Sequence, residues 1–93
     1  MFDNALRIDP RISRWTLRRA EAKLCLGQLE EALQDANVVA NNFPQHANAF
    51  KVRGLLHYLL GNEPDSEADR VKAVQLDPSL TGLSFLNLAK QLP

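Results

Sequence analysis

The sequence predicts an all-α fold, a right-handed superhelical array of antiparallel helix pairs, and three observations carry that prediction. Pro10, Pro44 and Pro78 stand 34 residues apart, and Gly27 and Gly61 keep the same step. Small residues recur in matching columns, with Ala20 opposite Gly54, Ala32 opposite Ser66, and Val39 opposite Ala73. A period of this length, with helix breakers at fixed places, marks stacked helical hairpins whose apolar faces are buried only against their neighbours.

Taken in order, residues 1–10 read as the last turns of a preceding repeat, so the chain reads as a fragment of a longer array. The first full repeat spans 13–44, with helices over 13–26 and 29–41 separated by Gly27. A glycine suits that break because a two-helix hairpin needs a residue that accepts left-handed dihedrals. The second repeat spans 47–78, with helices over 47–60 and 64–76. Pro64 fits a first helical turn, where its missing N–H is no loss, and Asp65 and Glu67 favour the positive end of the helix dipole. Residues 80–93 form a closing segment with a helix over 81–92. Leu83, Phe85, Leu86, Leu88 and Leu92 make that helix apolar, so it either caps the array or awaits a further repeat, and the second reading is preferred.

Composition narrows the function. Eleven basic and eleven acidic residues cancel, and the pI of about 6.7 offers no global attraction to nucleic acid or to an anionic membrane. Four arginines between Arg11 and Arg19 with Trp15 among them form a local basic cluster, but acid elsewhere offsets it, and Trp15 is expected to fill an inter-helix gap. The single Cys25 rules out an internal disulfide within these residues and fits a reducing compartment, the cytosol or nucleus. No apolar run approaches the ~18 residues of a membrane span. No cofactor or metal is expected, because His46 and His57 are isolated and no nucleophile, base and oxyanion donors converge; Cys25 reads as a buried small thiol. The expected function is therefore binding, not enzymatic catalysis.

The columns resemble the tetratricopeptide repeat family, most clearly in Leu26-Gly27-Gln28-Leu29-Glu30-Glu31-Ala32-Leu33 and in Lys72-Ala73-Val74-Gln75-Leu76-Asp77-Pro78. Two further stretches, 17–22 and 47–62, are similar to the middle repeats of DnaJ-type tetratricopeptide co-chaperones. That resemblance implies a cytosolic adaptor that contacts heat-shock chaperones and passes client proteins between them. The His-Pro-Asp tripeptide of a J domain is absent from these residues. Thr16 and Lys23 depart from the pattern, since large apolar or aromatic residues are usual there, so the second repeat should pack more tightly than the first.

Groove-facing candidates for binding a peptide are Arg14, Leu17, Arg18 and Glu21 from the first repeat, and Asn48, Lys51, Leu55 and Tyr58 from the second, with Leu24 and Cys25 beside them. Arg14 and Arg18 are four residues apart on one helix face. The pair is similar to the basic residues of a dicarboxylate clamp, which the family uses against acidic chaperone tails, and guanidinium suits such bidentate bonding. The alternative is a solvated basic face that includes Arg11 and Arg19. Asn48 and Val52 occupy the matching places in the second repeat and cannot reproduce the pair. Glu30, Glu31 and Asp35 read as the convex, water-facing side. The competing function is structural, a rigid spacer or a self-association surface through the closing helix, centred on Phe85.

Overall fold

A computed structural model describes residues 10–92. Among these residues five α-helices follow one another: α1 (Pro10–Cys25), α2 (Leu29–Asn42), α3 (Ala47–Leu59), α4 (Glu63–Leu76) and α5 (Phe85–Lys90), with a 3-10 turn at Pro78–Leu80 before α5. No strand occurs among the described residues. The expected end of a preceding repeat, residues 1–10, lies outside them apart from Pro10, the first described residue, which opens α1. Its fixed φ suits a first helical position, which carries α1 three residues beyond the predicted start at residue 13.

The two hairpins are built by the same turn. Gly27 and Gly61 have φ of +82° and +85°. At the first, the Gly27 N–H donates to the Leu24 carbonyl at 3.1 Å and the Gln28 N–H to the Lys23 carbonyl at 2.8 Å. At the second, Gly61 donates to Tyr58 at 3.2 Å and Asn62 to His57 at 2.8 Å. These paired bonds form a Schellman motif, which satisfies the last carbonyls of a helix and needs a residue in the left-handed region. Gln28 and Asn62 make no side-chain cap, so the main chain and the glycine set each turn. The acids Glu30 and Glu31 of α2, and Glu63 and Asp65 of α4, lie in the first turns that follow, where the helix dipole favours negative charge.

Each helix packs on its sequence neighbour from α1 to α4, and the α3–α4 interface is the most extensive, larger than α1–α2. The second pair is therefore the tighter, as its aromatic residues predict. Helix α1 also touches α3, and α3 touches α5, whereas α2 and α4 do not meet. The odd-numbered helices thus share the closely packed side of the stack. Its core is rich in small residues, with Ala20, Ala32, Ala36, Ala49 and Ala73 fully buried beside Val39 and Leu56. Small side chains let helices approach closely, and enlarging one forces strain.

A pair of ion pairs crosses the two hairpins. Arg19 donates from Nε and Nη2 to the two carboxylate oxygens of Asp35, both at 2.9 Å, and Arg53 does the same to Asp69 at 2.8 Å. Arg53 is 34 residues after Arg19, and Asp69 is 34 after Asp35. Both carboxylates are buried. Asp35 therefore does not belong to a water-facing side, and Arg19 is a hairpin tie, not part of a solvated face. Lys23 adds a third bond to Asp35 at 3.3 Å. Burial alone would raise the Asp35 carboxyl, but the hydrogen bonds from Arg19 and Lys23 outweigh it and hold Asp35 below the usual carboxylate range.

Trp15 does not fill an inter-helix gap. It is 60 % exposed and lies under the Arg19 guanidinium, 4.9 Å from its ring centroid. The buried place beside it is taken by Thr16, which is small enough to fit between α1 and its neighbours. Cys25, expected inside, is exposed at the end of α1.

The closing helix is shorter than predicted. Asp77 accepts from the Ser79 backbone N–H at 3.1 Å and from its hydroxyl at 2.6 Å, which folds Pro78–Leu80 into a 3-10 turn. A further turn through Gly82 brings Ser84 to the N-cap of α5, where its hydroxyl accepts from the Asn87 N–H. Residues 81–84 are consumed by these turns, and only Phe85–Lys90 is helical. Phe85 is buried over α3 because Gly54 has no side chain there. A β-carbon at residue 54 would sit 2.5 Å from Phe85 Cζ and 2.8 Å from Cε2.

Substituting Gly54→Val should expel the Phe85 ring and detach α5, at a cost of about 1–3 kcal/mol from overpacking. Thermal unfolding and circular dichroism would show a lowered midpoint with α1–α4 helicity retained. An unchanged midpoint would mean that the ring does not depend on the missing side chain.

Candidate functional site

Helix α1 presents Arg14, Leu17, Arg18 and Glu21 at intervals of three, four and seven residues, which places them on one stripe. Leu17 is 4 % exposed and forms a floor, while Arg14, Arg18 and Glu21 are exposed rims. The N-terminal end of α3 supplies the other wall through His46 and Asn48. Together the six residues line a cleft of about 680 Å³. Four of its side chains, Arg14, Arg18, His46 and Asn48, can donate hydrogen bonds to an anion such as a carboxylate, and Glu21 sets a negative charge at the edge.

A second cleft of about 410 Å³ continues along the same side. It shares Glu21 and Asn48 with the first and adds Leu24, Cys25, Lys51, Val52 and Leu55. Its third wall is the C-terminal part of the chain, with Leu88, Gln91 and Leu92. Leu55 is largely buried and serves as floor, while Lys51 is half-buried at the edge. The closely packed faces of α1, α3 and α5 thus form one continuous surface with a polar, basic end and a more apolar end.

Seven of the eight predicted residues meet along this surface. Tyr58 does not. It is half-buried, with its ring centroid 6.4 Å from that of Phe85 at an interplanar angle of 42°, and it lines a separate cleft with Glu63, Glu67 and Arg70. The cause is Phe85, which docks over Gly54 and separates Tyr58 from the other candidates. Phe85 itself is 5 % exposed, so it belongs to the core and does not stand out as an anchor for self-association.

His46, which the sequence presents only as an isolated histidine, is a further member of the cleft that was not among the candidates. It is half-buried between the two wall helices and lines a further cleft of about 590 Å³ with Arg14, Asn48 and Asp77. Burial, and then the positive charge of Arg14, push its imidazole below the usual histidine value. The facing acid, Asp77, already accepts from Ser79. The signal available in the sequence was position alone, one residue before a helix whose neighbour carries Arg14.

No helix among the described residues is long and apolar enough to cross a membrane. No group of three or more His, Cys, Asp or Glu side chains is placed there to hold a metal ion.

His46 should titrate below about 6.5 when followed by NMR of its ring protons, and Arg14→Ala should move that midpoint upward. Because its folded value is the lower one, His46 contributes stability that is full above pH ~6.5 and is lost as the pH falls through the folded value. A His46→Gln variant should flatten the stability profile in that window. A midpoint at the ordinary value in both proteins would remove the electrostatic link between the two walls. The chain matches no protein-family model, and no solved structure matches it at a significant level.

Proposed function

We propose that the chain is part of a tetratricopeptide array, wound as a right-handed superhelix, that binds a partner's extended peptide along the side formed by α1, α3 and α5. The repeat reading is supported by a common 34-residue step in the prolines, in the two glycine turns and in the two Arg–Asp ties. Curvature follows from contacts between odd-numbered helices that the even-numbered helices do not make.

The observation that carries the binding reading is the cleft of about 680 Å³ that gathers Arg14, Leu17, Arg18, Glu21 and Asn48 with His46. Two exposed guanidinium groups above a leucine floor suit a peptide carrying a carboxylate next to an apolar side chain. The Asn48 amide can hydrogen-bond the peptide backbone, and the second cleft offers Leu24 and Leu55 to a following apolar residue. Resemblance to DnaJ-type co-chaperones makes the acidic C-terminal tail of a heat-shock chaperone the first peptide to try, and a cytosolic or nuclear adaptor the role it would serve. Exposed acidic client segments satisfy the same chemistry.

Titration calorimetry with an acidic peptide ending in a free carboxylate should give measurable binding that weakens about tenfold or more for Arg14→Ala and for Arg18→Ala. Amidating the peptide terminus should cause a comparable loss. Binding that ignores both substitutions would exclude this cleft as the seat of the carboxylate.

A further inference from the structure

We infer that α3 carries a docking site for an amphipathic helix of a partner protein, centred on the bare backbone at Gly54, and that α5 is the occupant the chain itself supplies, displaced when the partner binds. The site adjoins the carboxylate cleft and does not rest on that reading. Phe85, Leu88, Ala89 and Leu92 pack against the core, whereas Leu86, Asn87, Lys90 and Gln91 are exposed. Anchors at i, i+3, i+4 and i+7, with the positions between them in water, are the pattern of a helix lying in a groove. The seat matches its anchor: the Phe85 ring enters where residue 54 has no β-carbon, and the Tyr58 ring stands beside it. Leu88 and Leu92 line the adjoining cleft with Leu24, Val52 and Leu55.

Several features make α5 a replaceable occupant and not the opening helix of a further repeat. Leu88 stands 34 residues after Gly54, which stands 34 after Ala20. A leucine in a column that is small in both repeats overfills the contact an opening helix makes with its neighbours. Helix α5 accordingly packs on α3 and, among the described residues, on no other helix, whereas α3 packs on α2 and α1 as well as on α4. Six residues are too few to stay helical without the groove beneath them. The segment is joined through Gly82, at φ +91° with open space where a β-carbon would stand, so the chain around this turn does not obstruct its release. The fit is also incomplete, because a cleft of about 410 Å³ stays open between Leu88 and Leu92 on one side and Glu21, Leu24 and Cys25 of α1 on the other. A partner helix with the same anchors that reaches α1 as well buries more surface than α5 does, which is what lets it displace α5.

The probe is a fluorescently labelled peptide of residues 83–92, which contains no acidic residue, with its C-terminus amidated so that it offers Arg14 and Arg18 no carboxylate. By fluorescence anisotropy it should bind the 93-residue chain carrying Phe85→Ala about tenfold or more tighter than the unaltered chain, because a seat filled from within lowers the apparent affinity by the fraction of time it is open. Gly54→Val, whose side chain fills the seat, should not bind it, and neither should either chain bind a peptide whose own phenylalanine is replaced by alanine. A second readout needs no substitution in the chain. At saturating peptide, the Leu88 and Ala89 amide resonances of the unaltered chain should move to the positions of an unfolded segment, while those of α1–α4 stay dispersed. Resonances of α5 that remain in place, equal affinity for the unaltered and Phe85→Ala chains, or undiminished binding to Gly54→Val overturns the inference. A dimer of the unaltered chain that Phe85→Ala abolishes overturns it equally, since the seat would then belong to the α5 of a second copy.

Discussion

Each hairpin of this molecule has a carboxylate buried between its helices, and a guanidinium fork from the sister helix is what makes that burial tolerable. A buried carboxylate without a partner is strongly unfavourable, and a two-bond Arg–carboxylate contact answers it only in a narrow geometry. Asp35 and Asp69 each meet an arginine sixteen residues earlier, which is the distance across one helix, one glycine turn and part of the next helix. The turn must therefore be held to within a fraction of an ångström. The Schellman bonds at Gly27 and Gly61 supply that, and the alanine-rich core lets the helices come close enough for the forks to reach. The tie is more buried in the second hairpin, where the Arg53 and Asp69 side chains are 19 % and 6 % exposed, than in the first, where Arg19 is 41 % exposed.

The candidate surface is a by-product of the same arrangement. Because the ties fix how each odd-numbered helix sits over its partner, the opposite stripe of α1 is free to turn Arg14, Arg18 and Glu21 outward over Leu17. Arg18 and Arg19 are adjacent in sequence yet do different work. A step of one residue turns a helix by about 100°, which sends Arg19 to Asp35 and Arg18 to the cleft. Reading the run of arginines as one basic face hides that division.

Much of the framework was legible from the residues. Helix α2 was placed to within one residue, the glycine turns were expected where they occur, and the small columns at Ala20, Ala32 and Gly54 are buried. These are local matters, set by φ preferences and by spacing along a helix. The early start of α1 and the turns before α5 are local departures, but the misses at the site are non-local. Trp15 looked like core because it is large and aromatic, but burial depends on whether a neighbour covers that stripe, and Thr16 holds the covered one. Asp35 looked like surface because most aspartates are, although its 34-residue match to Asp69, with Arg19 matching Arg53, was available as a clue. Tyr58 was grouped with the groove candidates of the second repeat, and its own position gave no sign of the approach of Phe85. The turns through Pro78–Leu80 and Gly82 delay α5 by four residues, and that delay brings Phe85 over Gly54. His46 gained its place only from the approach of Arg14 in space.

The account stands on the two ties being equivalent parts of one repeated hairpin. Double-mutant cycles on Arg19 with Asp35 and on Arg53 with Asp69, read by denaturant unfolding at neutral pH, test this directly. The expected result is a favourable coupling at both, on the order of 0.5–3 kcal/mol, larger for the more buried Arg53–Asp69 pair. Coupling near zero at either pair, with the single substitutions simply additive, would contradict it.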